Sequence, residues 1–362
     1  MRVLISGAGI AGPALAYWLR HHGAEATIVE RAPAPRPGGQ ALDVRGAALD
    51  VVDRMGRLGD LRKARTRMRG SSMLAADGTE LFRSTEFAPS SGRLDSDDVE
   101  ILRDDLVALL AGAAGGADLR YGEAIAGLEQ DADGVDVRLR GGTTERFDLV
   151  VGADGLHSAV RRAIFPDAVP HHLGAYVAVY TAPNDLGLDE WQVWLRDDRT
   201  GAGAGIYTAR DNRELRVNVG FMSGPVGYDR HDLDAQRRLV HERCAGLGWE
   251  IPRLLAAMDA APDFYFDAMA QVRLDAWSSG RVTLLGDAGY CPSPLSGQGT
   301  SLALVGAYVL AEELARAGAG GLAAYEARMR PFVELNQALA TENPGGPAAP
   351  ESIDRAKTGI TL

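Results

Sequence analysis

Six residues near the start of the chain, Gly7-Ala8-Gly9-Ile10-Ala11-Gly12, constrain it more than any other feature. They follow a short apolar run from Arg2 to Ser6 and precede a helical pattern from Pro13 to His22, after which Ala26 to Glu30 reads as a return strand. Strand, turn, helix and strand in this order imply a parallel pair with a right-handed crossover. Gly7 permits the tight turn, Gly9 leaves room for a pyrophosphate to approach the backbone, and Gly12 lets the helix pack close to the strand. The helix N-terminus offers N–H groups and a partial positive charge to phosphates. Glu30, 18 residues past Gly12, is placed to accept ribose hydroxyls. The pattern indicates dinucleotide binding without separating FAD from NAD.

The 362 residues are about two domains' worth of chain, and 46% apolar content can bury a substantial core. A net charge of -11 repels phosphate backbones on average, so nucleic acid is not an expected partner. Cys244 and Cys291 form no CxxC and stand near no histidine cluster, which suggests neither a disulfide framework nor a metal site. The opening apolar run is interrupted by Gly7, too early for a secretory leader, and the longest apolar stretch, Leu302 to Leu310, is too short to span a bilayer. A cytoplasmic protein without stable membrane association is expected, as a monomer or homodimer.

Beyond the first crossover, Arg31 to Gln40 is a proline- and glycine-rich loop, Ala47 to Leu58 is helical, and Ser71 to Arg83 reads as a hairpin around Asp77-Gly78. Ser96 to Ala114 reads as one amphipathic helix, with Asp95, Asp97 and Asp98 as its cap and first turn. Asp118 to Tyr121, Val135 to Arg140 and Phe147 to Val151 read as strands. From Pro166 the texture changes to strand-like segments at 175–181, 191–196, 204–208, 215–221 and 263–272, suggesting an antiparallel layer inserted into the parallel domain. Arg281 to Asp287 is a buried strand. Helices follow from Thr300 to about Arg316 and from Leu322 to about Thr341, and Asn343 to Ala349 is too rich in proline and glycine to continue. The expected fold is α/β, α+β overall. A Rossmann-like dinucleotide domain with a parallel sheet (1–70, 96–165 and 281–330) carries an inserted antiparallel-sheet substrate domain (71–95 and 166–280), with a C-terminal helix and tail (331–362).

Two further segments bear on the cofactor. Leu284-Leu285-Gly286-Asp287-Ala288-Gly289 ends a strand on an aspartate, and CPSPLSGQGT, from Cys291 to Thr300, opens a long helix. A nicotinamide needs no such second site, whereas a flavin does: its ribityl hydroxyls require an acceptor such as Asp287, and backbone N–H groups of Gly299 and Thr300 would stabilise negative charge on a reduced ring. Gly152 to Arg161, GADGLHSAVR, combines an aspartate and glycine after a buried strand with a serine N-cap.

Together the three segments resemble the group A FAD-dependent aromatic monooxygenases of the para-hydroxybenzoate hydroxylase fold, and the likeness is strongest to the compact members acting on polycyclic phenols and tetracycline-like polyketides. The resemblance implies FAD contacts at Gly7, Gly9, Ala11, Gly12, Glu30, Arg31, Arg103, Asp154, Asp287, Gly297, Gln298, Gly299 and Thr300. It places Arg45 beside the mobile flavin and Pro294 by the reacting oxygen, as the expected catalytic positions. Gly289, Tyr290 and Thr300-Ser301 depart from the family pattern. The implied activity is hydroxylation of an aromatic or polyketide small molecule with O2 through a flavin C4a-hydroperoxide, with NADPH or NADH as a transient reductant. No second GxGxxG serves the nicotinamide cofactor.

On the antiparallel layer, Gln192, Trp194 and Arg196 share one strand face. Gln192, Trp194, Tyr207, Asn218 and Met222 are the expected substrate residues, while His157, His171, His172 and His241 read as surface or satisfied histidines. Two other readings stay open: an NAD-dependent dehydrogenase, which would leave the GD segment without a role, and a flavin-fold protein that binds or cyclises a polyketide without redox turnover.

Overall fold

The computed structural model describes residues 1–90, 92–343 and 347–362. Its first sheet has six strands in the order Ser278–Ser279, Val282–Leu284, Leu149–Gly152, Arg2–Ser6, Glu25–Glu30 and Asp118–Tyr121, all neighbours parallel except the outermost Ser278–Ser279. Val3, Leu4, Ile5, Leu149, Val150, Val151, Val282 and Leu284 are fully buried, the near-continuous apolar pattern of parallel strands covered on both faces. Burying each such side chain contributes about 1.5–3 kcal/mol. The first helix, Ala11–His21, and the long helix Gly299–Ala317 join the same core, which Leu322–Glu342 extends.

The second sheet has seven strands in the order Tyr265–Gln271, His171–Pro183, Glu214–Met222, Ala202–Ala209, Trp191–Asp197, Gly70–Ala75 and Glu80–Ser84. Only Trp191–Asp197 and Gly70–Ala75 run parallel to each other. Alternation sorts its faces. Val193, Leu195, Ile206, Val217 and Val219 pack with Leu254 and Met258 in a separate core under the helices Leu233–Cys244 and Ile251–Ala260, which the sequence reading passed over. The other face carries Gln192, Trp194, Tyr207 and Asn218 in register: Gln192 pairs with Tyr207, and Trp194 with Gly205, whose other neighbour is Asn218.

A two-stranded ladder, Ala41–Val44 against Val99–Leu102, adjoins this face. It corrects the expected helix over 96–114: the helix is Arg103–Ala113, and Val99 to Leu102 is a fully buried strand. Its four apolar or flanked positions fit either period, and the partner strand at 41–44 settles the choice. Asp98 accordingly caps no helix; it accepts an ion pair from Lys357 at 3.1 Å. Lys357 ends the helix Pro350–Lys357, also unforeseen, whose last carbonyl lies where a side chain at Gly46 would begin. The expected loop over 343–349 lies partly outside the described residues. Both cysteines are free and buried.

Candidate active site

The three glycine-bearing segments meet at the ends of the parallel strands. A side chain at Gly7 (φ +112°) would collide with the Ala153 carbonyl and the Asp154 backbone, and one at Gly12 with the Gly7 carbonyl oxygen. A side chain at Gly286 would begin 3.3 Å from the Ala11 methyl group and 3.7 Å from that of Ala303 on the long helix. Arg161, 1% exposed, donates from Nη1 to the Ala288 carbonyl at 2.9 Å and from Nη2 to that of Leu156 at 2.6 Å, tying the middle segment to the last.

Within this convergence, several groups are left open to a ligand. Nothing stands within 4 Å of a side chain added at Gly9, and the helix that follows starts after Ile10 with no side-chain cap, so its first N–H groups point outward unpaired by side chains. Glu30 closes the turn by accepting the Ala8 N–H at 2.9 Å and the Ala32 N–H at 2.8 Å, and its two oxygens retain lone pairs for hydroxyl donors. Arg31 is exposed just beyond. Arg103 lies against Gly39, and burial together with the nearby Arg36 guanidinium lowers it to about 10. Two neighbouring cations in a partly desolvated place are stabilised by an anion between them.

Asp154 serves the backbone first. It accepts the Ser158 hydroxyl and the N–H groups of Ala159 at 2.7 Å and Val160 at 3.3 Å, while Ser158 caps the helix Ala159–Ile164 by accepting the Arg161 N–H at 2.8 Å. The serine cap is as expected. Asp287 begins the short helix Asp287–Tyr290 after Gly286 (φ +63°). Burial raises its carboxyl above the usual range, opposed by the Cys291 thiol. A carbon added at Gly299 would lie 3.8 Å from its Oδ1, which sets the carboxylate beside the start of the long helix.

Between these segments the loop turns twice. Ser293 holds a positive φ of +75°, a strained conformation for a residue with a side chain, and Gly297 follows in the left-handed region. Pro294 and Leu295 therefore stand exposed at the lip. Gln298 is 0% exposed, yet neither its amide nitrogen nor its oxygen has a partner. Arg45, 8% exposed, donates to Asp43 at 2.8 Å, with an Nη atom 3.6 Å from a carbon added at Gly297, and leaves its Nε unpaired. Asp43 Oδ1 is also unpaired. Buried polar groups without partners are costly, and four such atoms around one loop are a site prepared for a polar ligand. Thr300 is buried one residue into the long helix.

Of the five residues expected to meet a substrate, Met222 stands apart, 53% exposed at the end of its strand. Gln192, 0% exposed, donates to Ser90 and accepts the Trp194 indole N–H at 2.9 Å. Trp194 lies flat over Gly205, where any side chain would meet its ring. The Tyr207 hydroxyl accepts the Ala41 N–H at 2.6 Å and engages Asn218, with burial pushing its acidity down. Four residues went unsingled by sequence reasoning: Asp43, Glu100, Ser90 and Arg216. Glu100 faces Asp43 across the ladder and accepts the hydroxyls of Thr66 and Ser90. Arg216, 2% exposed, donates to Gly39 and Thr181. The available signal was an acid or base inside an aliphatic run, as in ALDV and VEIL. Of the histidines, His157 pairs with Asp267 at 2.8 Å, His172 with the Ser223 carbonyl and His241 with Asp259.

Residues 1–340 match the family model described as an FAD binding domain. The chain is also 40% identical over 342 residues to a flavin-dependent monooxygenase of Legionella longbeachae, covering 93% of this chain and 87% of the relative. The chain belongs to the FAD-dependent monooxygenases. This monooxygenase is 49% identical over 368 residues to the uncharacterised protein Rv1260 of Mycobacterium tuberculosis, covering 99% and 98% of the two chains. The crystal structure of the tetracycline destructase Tet(51) superimposes on the monooxygenase with a TM-score of 0.91 at 33% identity, covering 100% of this chain and 98% of that one. Its cofactor is FAD, and the open helix starts, the paired arginines and the orphaned amide of Gln298 fit a flavin dinucleotide. Among the described residues no helix is long and apolar enough to cross a membrane.

Proposed function

We propose that this monooxygenase hydroxylates a polycyclic phenolic or polyketide small molecule of the tetracycline type, in the cytoplasm, as a monomer or homodimer. The observation that carries the reading is the set of unpartnered polar atoms on Arg45, Asp43 and Gln298, with Asp43 linked through Glu100 and Ser90 to Gln192. Relatives named for tetracycline destruction support the substrate class.

In this reading residues 1–70, 96–165 and 281–330 hold FAD, and 71–95 with 166–280 supply the substrate side. When bound, FAD would accept two electrons from NADPH or NADH and would supply the activation of O2. The chain's own residues bind and orient. The helix starts at Ala11 and Gly299 receive the pyrophosphate and the ring edge, Glu30 and Asp287 accept ribose and ribityl hydroxyls, and Arg36 and Arg103 balance phosphate charge. Arg45, held by Asp43, donates toward the ring through its free Nε. Gln192, itself buried and bonded to Ser90, holds the Trp194 indole in place on the proposed substrate side, where Pro294 and Leu295 would close over a bound ligand.

The test is NAD(P)H oxidation across a panel of tetracyclines, anthracyclines and simple phenols, with mass spectrometry of the products. Stimulated oxidation with a gain of one oxygen atom is the expected result. Oxidised flavin throughout, with ligand bound, would replace this reading by binding or cyclisation without redox turnover.

A further inference from the structure

Beside the ladder of Ala41–Val44 and Val99–Leu102 the molecule carries a cleft of about 460 Å³. One wall runs on from Lys63, the last residue of the helix Leu58–Lys63, and bears Arg65 and Arg67. The other is the tip joining Ala202–Ala209 to Glu214–Met222 and bears Arg210 and Arg213, and Leu102 lies at the floor. In a chain of net charge -11 this is a concentration of cations. The acidic groups lining it are largely engaged: Asp105 takes Arg210 at 2.6 Å, and Glu190 faces Arg69 at 3.8 Å, which leaves Asp211. The guanidinium groups of Arg65 and Arg67 are exposed and have no hydrogen bond or ion pair among the described residues.

Both walls are held in place before any ligand arrives. Arg210, Asp211 and Asn212 all have positive φ (53°, 55° and 63°), a strained tip maintained by Arg210 on Asp104 and Asp105 and by Asn212 on Asp189 and the Glu190 N–H. The facing segment is pinned by Thr66, whose N–H donates to the Glu100 carbonyl at 2.8 Å and whose hydroxyl reaches the Glu100 carboxylate. Glu100 in turn faces Asp43, the partner of Arg45. Three side chains, Thr66, Glu100 and Asp43, therefore lead from the cleft to Arg45.

We propose that this cleft seats the phosphates of the reduced nicotinamide dinucleotide, with Arg65 and Arg67 as their principal partners. The assignment rests on the monooxygenase reading above, which requires such a donor, and on the absence of a second GxGxxG to hold it. The volume suits one nucleotide-sized ligand, and the overall negative charge disfavours a long nucleic acid. Two unpaired guanidiniums match phosphate oxygens in geometry and charge.

The experiment titrates FAD-loaded enzyme with NADP+ and, separately, NAD+ by calorimetry, in the parent, in Arg65→Glu/Arg67→Glu and in Arg238→Glu, an exposed charge reversal on another helix. The double variant should bind NADP+ about tenfold more weakly or worse, with a matching rise in KM for NADPH and unchanged flavin content and saturating kcat, while Arg238→Glu tracks the parent. A loss confined to NADP+ places the 2′-phosphate in the cleft, and an equal loss for NAD+ places the pyrophosphate there. An NADP+ affinity within about twofold of the parent in the double variant overturns the proposal. A parent that binds NADP+ through these arginines but never reduces its flavin keeps the site and removes the monooxygenase reading. A double variant reduced with parental KM does the reverse.

Discussion

At Gly12 an added methyl group would run into the Gly7 carbonyl, whereas at Gly9 it would meet open space. Gly12→Ala should therefore destabilise the apoprotein by about 1–3 kcal/mol, the range of overpacked sites, and lose FAD with it. Gly9→Ala should leave the apoprotein's thermal midpoint unchanged and weaken FAD alone, as read by flavin absorbance after ultrafiltration. Parental affinity in that variant would put the pyrophosphate elsewhere. Asp43 offers a second test. Burial lifts its carboxyl to about 8, against the pull of Arg45, with Glu100 and Asp98 adding to the rise. In the unfolded chain the group titrates near 4, so between about pH 4 and pH 8 the native state holds a proton that the unfolded state has lost. This group's contribution to stability accordingly falls as pH rises through that window and levels off above it. Asp43→Asn should flatten the slope in apoprotein melting curves recorded across that range; an unchanged slope would show that Asp43 titrates normally.

The element that links the middle and last segments is the short helix Ala159–Ile164, and its cap is a single hydroxyl. Ser158→Ala should cost about 1 kcal/mol in denaturant midpoint, since the cap is lost while Asp154 still accepts two backbone N–H groups. A cost well above that would mean that the cap also holds Arg161 in its bonds to Ala288 and Leu156. Elements of this kind were legible in the chain: glycine turns, a serine cap and continuous aliphatic strands carry their physics locally. The ladder of Ala41–Val44 with Val99–Leu102 was not, because four-residue strands have no periodicity of their own and exist only through their pairing. With the ladder went Asp43 and Glu100, the buried acids that organise the inner site. The helices Leu233–Cys244 and Ile251–Ala260 were missed for a related reason: the first is strongly polar, and what buries Val240 and Cys244 is a sheet assembled from distant strands.

For the whole molecule, the proposed cofactor site draws on segments near residues 7–12, 152–161 and 286–300, so ligand binding there and folding of the first core are expected to be linked. FAD at 100 times its Kd should raise the unfolding free energy by about 2.7 kcal/mol, with the melting temperature climbing as FAD is added. A melting temperature indifferent to FAD would mean that unfolding begins in the second core, around Val217, Leu254 and Met258, without disturbing the dinucleotide.

The seat that Gly205 provides for Trp194 has a practical side. Of the five tryptophans, Trp18 and Trp277 are sealed in the first core, and Trp191 and Trp249 pack at the second. Trp194 alone among them lies on the face opposite that core, so its ultraviolet emission is an unlabelled gauge of whatever settles there.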